Sequence, residues 1–244
     1  MKYLFTIILA CAALATTAQV KLNPGKKAVE KKWIRDEHYR MGWYAIKDTA
    51  EIEIGAITTV IKKNKGRVVV ITEVTRKQMK SPWVDSTIAD LKSLAPVYHS
   101  SYNQQRDMVL HFGKIITGYY HDKIKNTRDN INDTTNQSYF DSNIYPALIR
   151  WLPLKEGFKQ VIPIYNYSPS GKKGVINAFV EAVKKGTYIS SISGVHNVWI
   201  VTVSDEIGSI ENKSVYYVDI KDRMIWKQDI IIGDRKMMLR LTED

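Results

Sequence analysis

Five histidines, His38, His99, His111, His121 and His196, are the side chains of this sequence best suited to move a proton or hold a metal. A zinc site needs three or four converging ligands, and two of them on one helix lie four residues apart. No pair here has that spacing. His111 and His121 flank the turn-like Gly113-Lys114 and can approach across a hairpin, but without a third ligand they read as a solvent-facing pair. For nucleophilic catalysis, "YISSISG" (188–194) lacks the first glycine of the G-x-S-x-G elbow. "SGKKG" (170–174) lacks the phosphate-loop frame and reads as a charged hairpin turn. "DNINDTTN" (129–136) lacks the glycine and periodic oxygens of a calcium loop. Asp85 and Asp90 form a conceivable acid and base pair, yet nothing near them in sequence would shift their pKa values, so they read as surface carboxylates. No catalytic residue, metal site or cofactor follows, and the chain reads as a non-enzyme.

The aromatic residues carry more information. Trp43, Tyr44, Trp83, Tyr98, Tyr119, Trp151, Trp199, Tyr217 and Trp226 are spread over nearly every expected strand and one helix. Such rings bury large areas and can form a core unaided. A curved sheet covered on its concave face by one short helix would also leave room for an apolar ligand.

The elements that would position these rings are mostly strands. "RMGWYAI", "AEIEIGAITTVIKK", "RVVVITEVT", "WVDSTIADL", "APVYHSSYN" and "DMVLHFGKIITGYYHDKI" follow one another at short intervals with turn residues between them. That rhythm argues for an antiparallel sheet and against βαβ units. "NIYPALIRWLP" breaks it, because Tyr145, Leu148, Ile149 and Leu152 fall at helical spacing, Pro146 suits a first turn and Pro153 stops the run. With Arg150 almost its only charge, this helix must lie across an apolar surface. "VINAFVEAVKKGTY" (175–188) fits both periods, and propensity alone leans towards helix. The last four runs, "VWIVTVSD", "KSVYYVDI", "RMIWKQDIII" and "RKMMLRL", read as a meander in which Met224, Trp226, Ile230 and Ile232 share the inward face. "NTRDNINDTTNQS" (126–138) reads as a mobile polar loop.

Residues 1–18 carry Lys2, an apolar run from Tyr3 to Leu14 and small residues at Thr16 and Ala18, the layout of a secretory signal peptide and too short for a membrane span. Cys11 in "ILAC" resembles a lipoprotein site, but its apolar run is short before the cysteine and continues after it. Removal of this leader would leave no cysteine, so stability must come from a core. Residues 19–37 read as a basic N-terminal arm, loose or with a short capping helix, ahead of one β domain over 38–244. The formal charge of +11 reads first as charge that keeps the protein soluble; as a binding signal it points, for an exported chain, to an anionic membrane surface rather than nucleic acid.

Several stretches together resemble the bacterial domain of unknown function (DUF) 3108 family: "MGWYAIKDTAEIEIG", "DSTIADLKSLAPVYH", "KKGTYISSI" and the ending "YYVDIKDRMIWKQDIIIGDRKMMLRL", covering roughly residues 38–242. The resemblance implies an exported protein of the bacterial periplasm or envelope, mostly β, with a single curved antiparallel sheet akin to the half-barrels of the lipoprotein carriers LolA and LolB and one short covering helix. It also implies that "VINAFVEAVKKGTY" is strand, with Gly186 at a turn. It supplies no catalytic residue. The expected function is to hold a lipid or other apolar ligand against the concave face, with Tyr145, Leu148, Trp151, Leu152 and Trp226 lining the site and basic residues at its rim. The alternative is a solid-cored module that docks on another envelope protein.

Overall fold

The computed structural model describes residues 21–169, 171–191, 193–208 and 212–242; the expected leader, with Cys11, lies outside them. Among the described residues the fold is one large antiparallel sheet with a single α-helix. Its strands are β1 (Glu37–Lys47), β2 (Ala50–Asn64), β3 (Arg67–Arg76), β4 (Trp83–Asp90), β5 (Pro96–Tyr102), β6 (Arg106–His111), β7 (Ile116–Asp122), β8 (Thr127–Asp133), β9 (Phe140–Asp141), β10 (Gln160–Asn166), β11 (Gly174–Ser190), β12 (Gly194–Asp205), β13 (Asn212–Asp219), β14 (Ile225–Ile232) and β15 (Arg235–Leu241). The helix α1 is Tyr145–Trp151. Strand order is β8-β7-β6-β5-β4-β3-β2-β1-β15-β14-β13-β12-β11-β10-β9, so two meanders meet where β1 pairs with β15. The two-residue β9 departs from the pattern by running parallel to its neighbour β10.

The sheet is not closed into a barrel, but it curls strongly. β9, at one edge, lies against β5. Tyr165 of β10 packs among Met108, Leu110, Ile116 and Ile131 from β6 to β8, and its hydroxyl donates to Asp133 at 2.8 Å. α1 sits inside this curl. Pro146 falls in its first turn, where the missing N–H has no helical partner to lose, and the chain turns extended at Leu152 before Pro153. Leu148, Ile149, Trp151 and Leu152 have no exposed surface, and they pack with Met41, Ile61, Val68, Val70, Ala89, Val180, Val201, Val203, Tyr216 and Val218 of the inner face. The one charge of the helix, Arg150, is also fully buried and reaches both Glu37 oxygens, at 2.7 and 2.9 Å. A buried charge needs such a partner, so β1 and α1 are keyed to each other.

Two sequence expectations are corrected, the loop over 126–138 and the turn at Gly186, while the strand that the resemblance implied for 175–188 is found. Residues 127–133 form the edge strand β8, not a loop; with only Ile131 buried, polar residues elsewhere hid its period, and a charged edge discourages further pairing. "VINAFVEAVKKGTY" is the body of β11. A bulge between Val180 and Ala182 moves the buried positions from Ile176, Ala178 and Val180 to Val183, and that three-residue step mimics helical spacing. Gly186 is not at a turn but inside β11 opposite Val198, where an added Cβ would lie 2.5 Å from Ile200 Cδ1. The basic segment ahead of β1 is anchored. Ala28, Val29 and Ile34 are buried around a one-turn 3-10 helix, Lys31–Trp33.

Candidate functional site

The inner face is filled by α1 over one part of the sheet and left as a cleft over another. Register places Trp43 of β1, Gly55 of β2 and Arg76 of β3 in one row across the strands. A Cβ on Gly55 would lie 2.1 Å from the Thr75 carbonyl oxygen and 3.0 Å from Arg76 Cγ, so only glycine lets β2 and β3 close at this point. Over it the Arg76 guanidinium stands 5.3 Å from the Trp43 ring. A second such pair follows along the curl, Arg106 of β6 at 5.5 Å from the ring of Trp83 on β4. Both pairs line a cleft of about 510 Å³ with Val74, Met79 and Tyr120, roofed by Ser168 and Pro169 from the β10–β11 loop. Arg106 donates to Ser101 Oγ at 3.0 Å, and neither guanidinium forms an ion pair among the described residues.

Trp83 and Arg106 also line an adjoining cleft of about 300 Å³, whose wall includes His99. Thr87 and His99 are cross-strand partners on β4 and β5, and the curl lowers Asp141 of β9 onto both. His99 Nδ1 lies 2.8 and 2.9 Å from the Asp141 oxygens; the Thr87 hydroxyl donates to the same carboxylate, and Asn143 donates to Thr87 at 3.0 Å. His99 is 5% exposed, and its Nε2 has no hydrogen-bond partner among the described residues. Burial and Arg106 oppose a charge on this ring, but the Asp141 carboxylate beside it and Asp85 outweigh them and hold its pKa above the usual histidine value. Asp85 itself accepts from Trp83 Nε1 at 2.8 Å.

A family model matches residues 38–240. The chain belongs to the family described as "Protein of unknown function (DUF3108)". The match runs from within β1 to within β15 and so takes in the whole sheet and both clefts. Comparison with curated proteins and with solved structures gave no match.

In this DUF3108 chain four of the residues expected to line a ligand site, Tyr145, Leu148, Trp151 and Leu152, do lie together, but packed in the core around α1 rather than on either cleft. The Tyr145 hydroxyl points to Asp205 at 3.5 Å, and burial pushes its pKa well up. Trp226 is not with them. A bulge opposite Tyr217 and Val218 puts Ile225 in the core and turns Trp226 to the outer face, where its Nε1 donates to Asp219 at 2.9 Å and its ring lies 3.9 Å from that of His196.

His111 and His121 do not meet either: they lie opposite Thr117 and Asp107, and four residues of strand part the two positions, about 13 Å. The same outer face holds a chain that no sequence frame suggested, Ser193 Oγ at 2.8 Å from His196 Nε2 and His196 Nδ1 at 3.1 Å from Asp219. Asp219 also accepts from the Lys221 amide at 2.7 Å, so this group ties the β11–β12 hairpin to the β13–β14 turn. The cleft residues were missed because Arg76 and Arg106 belong to no motif, and His99, which closes the stretch "DSTIADLKSLAPVYH", takes its partner Asp141 from 42 residues away. The signal present was Trp43 and Trp83, the indoles that the two guanidiniums face.

Proposed function

We propose that this protein is an exported envelope binding protein, non-catalytic, that holds a lipid-like anionic ligand in the cleft on the inner face of its sheet. The observation that carries this reading is the pair of Arg–Trp stacks, Arg76 on Trp43 and Arg106 on Trp83, facing one cleft, with neither guanidinium in an ion pair among the described residues. Indole faces and the side chains of Val74 and Met79 suit an apolar body; two unpaired guanidiniums suit a carboxylate or phosphate head. A cleft of about 510 Å³ falls in the range of sites for small organic ligands. The leader-like residues 1–18 favour export, and the charge of +11 suits a place where anionic lipids are abundant partners.

The test is displacement of a fluorescent fatty acid from the purified full chain. Arg76→Gln and Arg106→Gln each remove one charge-assisted hydrogen bond, worth about 1.5–3 kcal/mol, and should weaken binding about tenfold or more. No uptake by the wild type, or uptake indifferent to both variants, would defeat the reading. The alternative, an interaction module, has one observation in its favour: Ile189 and Val195 are cross-strand partners at the tip of the β11–β12 hairpin and are 75% and 70% exposed. Loss of partner capture in Ile189→Ser with ligand uptake absent throughout would favour that reading.

A further inference from the structure

The geometry points to a head-group subsite within the proposed ligand cleft: His99 Nε2–H and the Arg106 guanidinium together receive a singly charged oxyanion, a carboxylate or a phosphodiester. This rests on the binding function proposed above and gives it a position and a ligand class.

His99 is held from behind. Asp141 takes its Nδ1 side with both oxygens, the Thr87 hydroxyl, itself accepting from Asn143, donates to that carboxylate, and the ring is thereby oriented with Nε2 on the side left without a partner among the described residues. The carboxylate on Nδ1 fixes a proton there and favours the charged form of the ring, in which Nε2 also carries a proton and the free edge is a donor. A buried donor without an acceptor is destabilising, and an oxyanion placed there would offset that loss. The second donor stands on the same wall: Arg106, fixed by Ser101, lines both clefts, so it joins the head-group position to the apolar cleft. Ser142, Asn143 and Asn166 add polar groups to this cleft of about 300 Å³, whose lining also holds Asp85, Met108, Leu110 and Ile207.

Charge limits the ligand. Of the charged groups that bear on the site, His99 in its charged form and Asp141 cancel as a pair, and Arg106 and Asp85, which accepts from Trp83, line the same cleft. The four balance before a ligand enters, so a singly charged oxyanion adds one uncompensated charge and a dianion two. The subsite therefore discriminates against phosphomonoester dianions.

The test follows the His99 ring nitrogens by long-range 1H–15N correlation spectra of the 15N-labelled full chain, assigned by loss of the signal in His99→Gln. Four probes are titrated: acetate, dimethyl phosphate, decanoate and phenyl phosphate. A saturable shift of His99 Nε2 with acetate or dimethyl phosphate, weakened about tenfold in Arg106→Gln, with phenyl phosphate at least tenfold weaker at pH 8, is the expected result. Acetate alone would mark a carboxylate site, dimethyl phosphate alone a phosphodiester site. Because Arg106 is not a core residue, that variant reads the subsite even if His99→Gln folds poorly. Decanoate binding detected by fluorescence with His99 unmoved would overturn the subsite while leaving the binding function intact. A His99 response to the small anions with no decanoate uptake would keep the subsite and defeat the lipid-like ligand. No response to any probe would overturn both.

Discussion

Replacing Glu37 by Gln removes the carboxylate that answers the buried guanidinium of Arg150. The wild-type geometry is bidentate, at 2.7 and 2.9 Å, with Arg150 fully buried and its Nε already lacking a partner among the described residues. The substituted side-chain amide could accept one hydrogen bond but would leave the charge uncompensated, and breaking a buried pair in this way costs about 3–5 kcal/mol. For a domain of this size, about 2–4 °C of Tm per kcal/mol converts that to a fall of about 6–20 °C. The Arg35 guanidinium also touches Glu37, at 2.6 Å, but that side chain is 42% exposed, so Arg35→Gln should cost under about 1 kcal/mol. Differential scanning calorimetry of wild type and both variants, with urea midpoints beside it, makes the comparison. Glu37→Gln melting within about 2 °C of wild type would refute the claim that this pair keys α1 to the sheet. The double change Glu37→Leu with Arg150→Met should recover most of the loss, since apolar replacement of a buried pair is often neutral or better.

Gly55→Ala should cost about 1–3 kcal/mol and disturb the Trp43 environment, because the new Cβ falls on the Thr75 carbonyl oxygen; an unchanged urea midpoint would contradict the close approach of β2 and β3. Asp219→Ala strips partners from Trp226 Nε1, His196 Nδ1 and the Lys221 amide and should lower stability by about 2–3 kcal/mol, with a shift in tryptophan emission. The His99 pKa is raised in the folded chain, so its pairing with Asp141 contributes fully below the unfolded value of about 6.5 and is lost as pH rises through the folded value. Urea midpoints of wild type should therefore fall relative to His99→Gln as pH goes from about 6 to 9; parallel curves would contradict the pairing.

The sheet was legible because its inner positions alternate cleanly: Val68 and Val70 on β3, and Val201 and Val203 on β12, are apolar and buried as a strand of period two requires. α1 was legible because Pro146, Pro153 and an all-apolar turn leave little else. What misled were the bulges. One in β11 produced a false helical period, and one beside Val218 turned Trp226 outward. Neither carries a sequence mark. The clefts were illegible for a different reason: Asp141 meets His99, and Tyr165 meets Asp133, only because the sheet curls until strands far apart in its order touch. The pairing of β1 with β15 joins the two ends of the domain and leaves no local trace.

The position of a bound amphiphile distinguishes a ligand cleft from a docking surface. A fatty acid carrying a diazirine, photolysed on the purified full chain and mapped by peptide mass spectrometry, should label Val74–Met79 and Tyr167–Pro169 saturably, with labelling reduced in an Arg76→Gln, Arg106→Gln double variant. Label confined to Ile189 and Val195 at the hairpin tip, or labelling that never saturates, would contradict a ligand held in the cleft of the inner face.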